Sequence, residues 1–417
     1  MEDKGGVRRT VRHWFGEPAG RNSLAGSNPV PSAMNKKSIT EIKKKLISEI
    51  ETLKDEKGVI LAGFPHYARF FGRDSLVTSW QLLPFQPEIC RQTLKTLSTL
   101  QGKKINTKNE EEPGKIVHET HWKLKRHPHI KGFPFPYYGS VDSTPLFGIV
   151  FSLYIQKTKD QKFLRKYWKN MKAAIQWMEK YGDTDQDLFL EYKRKNPRGL
   201  FHQGWKDGFQ NHLKIRPPVS LVEAQGYQYL ASKNAALLAK ILKENNFAKR
   251  LLERAKKLKK KFNEKFWIEK EGYFALALDG KKNQKRTITS NPGHLLFTGI
   301  IEKEKEKKVV KRLFQKDLWT PFGIRTHSTK DPHFDPLSYH RGTVWPHDNW
   351  IIAQGLKKLG YKKEYRKIKN AILKAYLELG YLPELYGVMG KKIIEYKGAC
   401  YPQAWASGAL LNFLTLR

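Results

Sequence analysis

The feature that most constrains this chain is the alternation in length of its connections. Helical periodicity recurs twelve times, near 38–56, 74–84, 87–101, 142–156, 159–180, 220–242, 246–265, 292–301, 303–315, 346–359, 362–379 and 402–415, with little strand signal between. Five neighbouring pairs are joined by tight links: "PF" at 84–85, "KTK" at 157–159, "ENN" at 244–246, "EK" at 302–303 and "GY" at 360–361. Between the pairs run long loops, 57–73, 102–141, 182–219, 266–291, 316–345 and 380–401. Short links make antiparallel neighbours, so pairs packed side by side send every long loop to the same end. Pairing of the first helix with the last closes the array. The expected fold is all-α, an (α/α)6 toroid with one ring of helices inside another. Its long loops form one elaborate face, and loops of that length are usually functional.

The helices entered from those loops carry start signals: Asp74 and Ser75 in "GRDS", Asp142 and Ser143 in "SVDSTP", Pro346 in "WPHD" and Pro402 in "YPQAW". The N-termini of one ring therefore point at the loop face. Their positive helix ends surround any carboxylate gathered there.

Composition narrows the class. The chain has 417 residues, 39% apolar and 12% aromatic, enough for a large core. Lys and Arg number 78 against 40 acids, a formal charge of +38. Such an excess first suggests nucleic acid. The basic runs, such as "AKKLKKKFNEKF" and "EKEKEKKVVKRLFQK", instead interleave with acids and with apolar residues at helical spacing, as solvated outer faces do. No nucleic-acid or membrane partner is expected, and oligomeric state is not legible. The two cysteines, Cys90 and Cys400, give no disulfide framework and fit a reducing cytoplasm. Residues 1–33 are rich in Arg, Gly, Pro and Ser, and helical periodicity begins beyond Met34. We expect a disordered leader over 1–33, with Met34 as the native start, and a single catalytic domain over 34–417.

The loop-face segments gather Asp74, Glu119, Asp142, Asp207, Glu223, Asp348 and Glu384 with Phe64, Tyr67, Trp122, Tyr137, Tyr138, Trp205, Tyr339, Trp345, Tyr386 and Trp405. Aromatic rings among carboxylates suit a sugar, whose C–H faces stack and whose hydroxyls need charged partners. Glycoside cleavage needs two carboxyls, one protonated and one ionised. Asp207 follows Trp205 in "GWKDG". In an extended segment both face one side and Lys206 faces away. A ring beside the carboxyl desolvates it and raises its pKa, as an acid requires. Glu384 lies in "GYLPELYG". A simple turn explains Asp207 as well as this does, and a surface loop explains Glu384 equally.

The segments "AGFPHYARFFGRDSLVTSWQLL", "EPGKIVHET", "PYYGSVDSTPLF", "QGWKDG", "LVEAQGYQYLA", "YHRGTVWPHDNWIIAQGL", "LPELYG" and "YPQAWASGAL" occur in this order from about Gly63 to the C-terminus. Together they resemble the amylo-α-1,6-glucosidase, or glycogen-debranching, branch of the glucoamylase-like six-hairpin glycosidases. The resemblance implies cleavage of an α-glucosidic bond with inversion, with Asp207 as general acid and Glu384 as general base. Arg73 and Asp74 then match residues that bind the sugar at the cleaved end. Glu119, Trp205, Trp345, His347, Asp348 and Gln403 match pocket positions, and Glu223 reads equally as pocket residue or core acceptor. No cofactor is implied. Longer relatives carry an N-terminal β-domain or a transferase barrel, for which this chain has no room. An α-glucan is therefore the first substrate expected and a small α-glucoside, such as a glucosylglycerate or a trehalose-like sugar, the alternative. A sugar epimerase on the same fold would use catalytic histidines, and a non-catalytic basic glycan- or nucleic-acid-binding protein would not need Asp207.

Two metal-like strings are read otherwise. "HETHWKLKRHPH", with His118, His121, His127 and His129, lacks a helical ligand face and reads as a pocket loop. "DTDQDLFLE" at 183–191 opens like a calcium loop, but position six is Leu188 and position twelve Arg194. It reads as a tight turn, and no metal is expected.

Overall fold

The computed structural model describes residues 36–128, 130 and 132–415. The leader expected over 1–33 lies outside the described residues. Six helices form an outer layer: α1 (Lys36–Thr52), α3 (Pro87–Leu100), α5 (Gln161–Lys180), α7 (Asn245–Lys265), α8 (Lys303–Leu313) and α10 (Lys362–Leu379). Five more, α2 (Gly72–Leu82), α4 (Ser143–Thr158), α6 (Val222–Ile241), α9 (Pro346–Lys358) and α11 (Ala404–Thr415), build an inner ring with the 3-10 helix Asn291–Phe297. Around that ring α2 packs on α4, α4 on α6, α6 on the 3-10 helix, that helix on α9, α9 on α11, and α11 back on α2. Outer α1 packs on α11, so the first and last helices close the toroid as expected.

The two rings differ because their sequences differ. In α5 the residues Phe163, Leu164, Trp168, Met171, Ile175 and Met178 recur on one buried face, and lysines occupy the other. Asp160 caps this helix by accepting from the Phe163 N–H at 2.9 Å. Inner α11, "AWASGALLNFLT", is buried along Ala404–Phe413, as a helix apolar all round must be. Polar bonds set its register: Gln81 Nε2 donates to Trp405 O at 3.0 Å, Asn412 Nδ2 to Gln81 O at 2.6 Å, and Trp350 Nε1 to Asn412 Oδ1 at 3.0 Å.

The segment expected as a helix over 292–301 is instead 3-10 and stops at Phe297. Pro292 and Gly293 weaken an α-turn there, and Gly299 adopts φ +81°. The long loops carry small antiparallel pairs that tie them to one another: Phe70–Phe71 with Glu119–Thr120, Ser220–Leu221 with Ala277–Leu278, and the hairpin Tyr386–Met389 with Lys392–Glu395. No helix among the described residues is long and apolar enough to cross a membrane. Cys90 and Cys400 are buried and unlinked.

Candidate active site

Each inner helix delivers polar residues at its N-terminal end. Arg73 and Asp74 lie in the first turn of α2, Glu223 in that of α6, and His347 and Asp348 in that of α9. Asp142 precedes α4 and Gln403 precedes α11. The expected capping does not occur. Asp74 is the third residue of α2 and makes no capping bond, and Asp142 also caps nothing. Asp142 instead accepts from Arg73 Nη1 at 3.0 and 3.1 Å and from Ser140 Oγ at 2.7 Å. Pro346 opens α9 as expected, whereas Pro402 lies ahead of α11.

One flank of the site is built around Asp207. Arg73 Nη2 donates to Asp207 Oδ2, and His118 Nε2 lies 3.8 Å from the same oxygen. Arg69 Nε donates to Glu119, whose other oxygen lies 3.9 Å from His118 Nε2. Desolvation raises Asp207 to about 6, with Arg73 pulling the other way and Asp142 and Glu119 adding to the rise. Burial and the charges of Arg73 and Arg69 hold His118 well below the ordinary histidine value, so it is neutral.

The other flank holds Glu384. Its Oε1 accepts from Tyr339 OH at 2.7 Å and its Oε2 from the Cys400 N–H at 3.1 Å. Burial raises it to about 7 against those donors, and the charge of Asp74 adds to the rise. Asp74 is itself raised to about 7 by burial, partly offset by Arg73, and raised further by Asp207. Tyr67, whose hydroxyl is 3.3 Å from that of Tyr339, feels the charge of both Glu384 and Asp207. Asp74 and Tyr67 thus join the two flanks in one electrostatic field.

Aromatic rings line the space between the inner-helix ends. Trp205 stacks on His294 at 5.9 Å and meets His347 and Trp345 edge-on at 5.1 and 5.8 Å. His347 lies flat on Trp405 at 3.7 Å. The Trp205 and Trp405 N–H groups and both His347 nitrogens are buried without a hydrogen bond. Such orphaned groups are costly unless a ligand satisfies them.

The two glycines of "GWKDG" act by size rather than by a left-handed backbone, since neither has positive φ. A methyl at Gly204 would overlap Leu221, and one at Gly208 would press on His212 Nδ1 at 3.0 Å. Lys206 is 2% exposed, donates to Thr326 O at 2.8 Å and lies 5.0 Å over the Trp205 ring.

The expected residues are therefore gathered at one face, with different degrees of commitment. Asp348 is bound to His294 Nε2 at 2.7 Å, and His294 Nδ1 to Tyr227 OH at 2.6 Å. Glu223 is buried beside Asn291 and His294, which offset its charge. Trp345 turns its N–H to Tyr339 O at 2.9 Å. Gln403 is fully buried just ahead of α11 and pairs by backbone with Gly63. Arg69, His118, His294 and Lys206 were not among the expected site residues. His118 stood in a quoted string, but only folding shows that it turns to Asp207 while His121 and His127 pack on Phe135 and Phe133. The acidic turn Asp183, Asp185, Asp187 does converge. Arg254 and Lys282 ion-pair with it, so protein cations already sit where an ion would.

Known proteins share this fold. The solved GH63 mannosylglycerate hydrolase from Thermus thermophilus in complex with Tris superposes with a TM-score of 0.69 at 16% identity, covering 89% of this chain and 99% of that one. The same enzyme in complex with glucose gives 0.69 at 15%, over 90% of this chain and 100% of that one. Mannosylglycerate hydrolase MGH1 of Selaginella moellendorffii is 33% identical over 75 residues, 18% of this chain and 15% of that protein. A mannosylglycerate hydrolase of Rubrobacter radiotolerans is 24% identical over 156 residues, 36% of this chain and 35% of that protein. The matched stretches thus span well under two thirds of these relatives. Residues 72–387 match the mannosylglycerate hydrolase MGH1-like glycoside hydrolase domain. The match supports a glycoside hydrolase domain, as expected, and does not specify the debranching type. The chain belongs to the MGH1-like glycoside hydrolase domain family.

Proposed function

We propose that this chain hydrolyses the α-glycosidic bond of a small hexoside of glyceric acid by direct attack of water, with inversion. Asp207 protonates the departing oxygen and Glu384 takes the proton from the attacking water. The carrying observation is a pair of carboxyls at the loop face, Asp207 held by Arg73 and Glu384 by Tyr339 OH and the Cys400 N–H, and burial raises both. In this reading the rings of Trp205, Trp345 and Trp405 stack on one hexose, and Arg73 and Asp74 bind its hydroxyls. The family and the names of the relatives favour the small glycoside over a branched glucan.

The test is sugar release from mannosylglycerate, glucosylglycerate, maltooligosaccharides and limit dextrin by the wild type, Asp207→Asn and Glu384→Gln, with the anomer followed by NMR. Preference for a glycerate glycoside, loss in both variants and an inverted product are expected. Preference for limit dextrin restores the debranching reading. A retained anomer removes the single-displacement mechanism.

A further inference from the structure

Asp207 stands in a narrow hairpin of the loop over 182–219. Phe201 and His202 close it by donating their backbone N–H groups to Gly208 O at 2.8 and 3.1 Å, and the Gly208 N–H returns to His202 O at 3.3 Å. At the base of that hairpin lies a buried glutamate that the proposed hydrolysis does not use. Glu110 is 1% exposed and belongs to the loop over 102–141, which also carries His118 and Glu119. Its Oε1 accepts from the N–H groups of Lys195 and Asn196 at 3.1 and 3.2 Å and from Tyr137 OH at 3.4 Å. Its Oε2 accepts from Gln203 Nε2 at 2.7 Å.

Tyr137 completes the join. Its backbone pairs with Glu119, its O accepts from the His118 N–H at 2.8 Å, and its hydroxyl accepts from the Leu200 N–H at 2.8 Å. Gln203 O accepts from the Val141 N–H at 2.8 Å, and the next residue, Asp142, is the partner of Arg73. The packing leaves no slack: a methyl at Gly199 would meet Tyr137 OH at 2.5 Å and Glu110 Oε1 at 2.9 Å. Glu110 itself holds φ +60°, a left-handed backbone that a glutamate adopts only where its surroundings impose it.

We propose that Glu110, with Tyr137 OH, is a positioning residue: it clasps the base of the hairpin and so holds Asp207 at the departing oxygen. A long loop has many arrangements open to it, and an acid misplaced by about 1 Å costs about 100-fold in rate. A carboxylate suits the task because both of its oxygens accept, whereas an amide turns its NH₂ on one set of these donors. The role rests on the hydrolytic reading, but the clasp itself is measurable without turnover.

The experiment compares the full chain as wild type, Glu110→Gln, Tyr137→Phe and, as a control, Glu112→Gln. Glu112 is also buried and ties the same loop to Trp177 Nε1 at 2.8 Å and to Lys195 Nζ, bonds that lie outside 199–208. One arm follows backbone hydrogen exchange over 199–208. Exchange about 10-fold faster in Glu110→Gln and Tyr137→Phe, and unchanged in Glu112→Gln, is expected. Wild-type exchange in both overturns the clasp. The second arm compares kcat/KM on a hexosylglycerate and on the matching glycosyl fluoride, whose departure needs no proton. A misplaced acid slows only the first, so the fluoride-to-glycerate ratio should rise about 10- to 100-fold in both variants and hold its wild-type value in Glu112→Gln. Faster exchange with an unchanged ratio makes Glu110 a strut of the fold and overturns the positioning role, as does an equal rise in Glu112→Gln. If Glu110→Gln fails to fold, Tyr137→Phe, which removes a single hydroxyl, decides by the same two readings. Should wild type cleave neither compound while exchange still responds, the hydrolytic reading fails and the clasp stands.

Discussion

The two flanks of the site hold their carboxyls by different chemistry. Asp207 meets full charges, with the Arg73 guanidinium on one oxygen and the Asp142 and Glu119 carboxylates nearby. Glu384 meets neutral donors, a phenol and a backbone N–H, and is 2% exposed. Asp207 keeps its side chain 27% exposed. A charged partner acts through the field and survives small movements, whereas a neutral donor acts only in hydrogen-bond geometry. The comparison therefore predicts that the two flanks fail differently when cut.

The largest effect falls on the carboxyls themselves. Asp207→Asn and Glu384→Gln should each lower the rate on a hexosylglycerate by about 10²- to 10⁴-fold, the usual worth of a general acid or base. A glycosyl fluoride separates them, since fluoride leaves without a proton. Asp207→Asn should recover most of its rate on that substrate, and Glu384→Gln should not. Equal recovery, or none in either, would dissolve the division of labour between the flanks.

Arg73→Met comes next and reads stability. It strips the guanidinium from Asp142 while Asp74 stays buried close by. Removing one partner of a buried pair costs about 3–5 kcal/mol, and urea unfolding should show it. Tyr339→Phe leaves an acid that can simply stay protonated, so its cost in the same assay should be about 1 kcal/mol. Equal losses would mean that the ion pair on the Asp207 flank is no more structural than the phenol contact.

These contrasts bear on what the sequence could disclose. The double ring was legible because loop length and helical period are local quantities. The pairing of α1 with α11 followed from parity alone. The 3-10 helix Asn291–Phe297 was not, since Pro292 and Gly293 compete with a pattern that apolar spacing otherwise satisfies. Asp207 and Glu384 stood out as acids beside an aromatic and a proline. Their partners did not, because Arg73, Tyr339 and Cys400 reach them from other segments and no spacing encodes which segment lies opposite. The need for glycine at 204 and 208 was hidden for the same reason, as their neighbours Leu221 and His212 are set by packing. The lysine-rich runs lie on outer helices, as their periodicity implied.

The smallest effect is the most diagnostic. Burial raises Glu384 to about 7 and Asp207 to about 6, so both exchange protons near neutral pH. Catalysis needs the proton on Asp207 with Glu384 ionised, so a proton held on Glu384 belongs to a non-working tautomer, and the bell in kcat/KM has limbs that belong to the pair. Tyr339 OH donates to ionised Glu384, which lowers its pKa. Removing that donor in Tyr339→Phe raises Glu384 further. The proton is then held more tightly on the wrong carboxyl, so the peak rate falls by about 10-fold for each unit of rise. The singly protonated pair also persists to higher pH, so the alkaline limb moves up while the acid limb, set by Asp207, stays. A profile of kcat/KM from about pH 4 to 9 reads both. If the acid limb moves instead, the proton rests on Asp207 from the start, and the charged flank rather than the neutral one sets the resting state of the site.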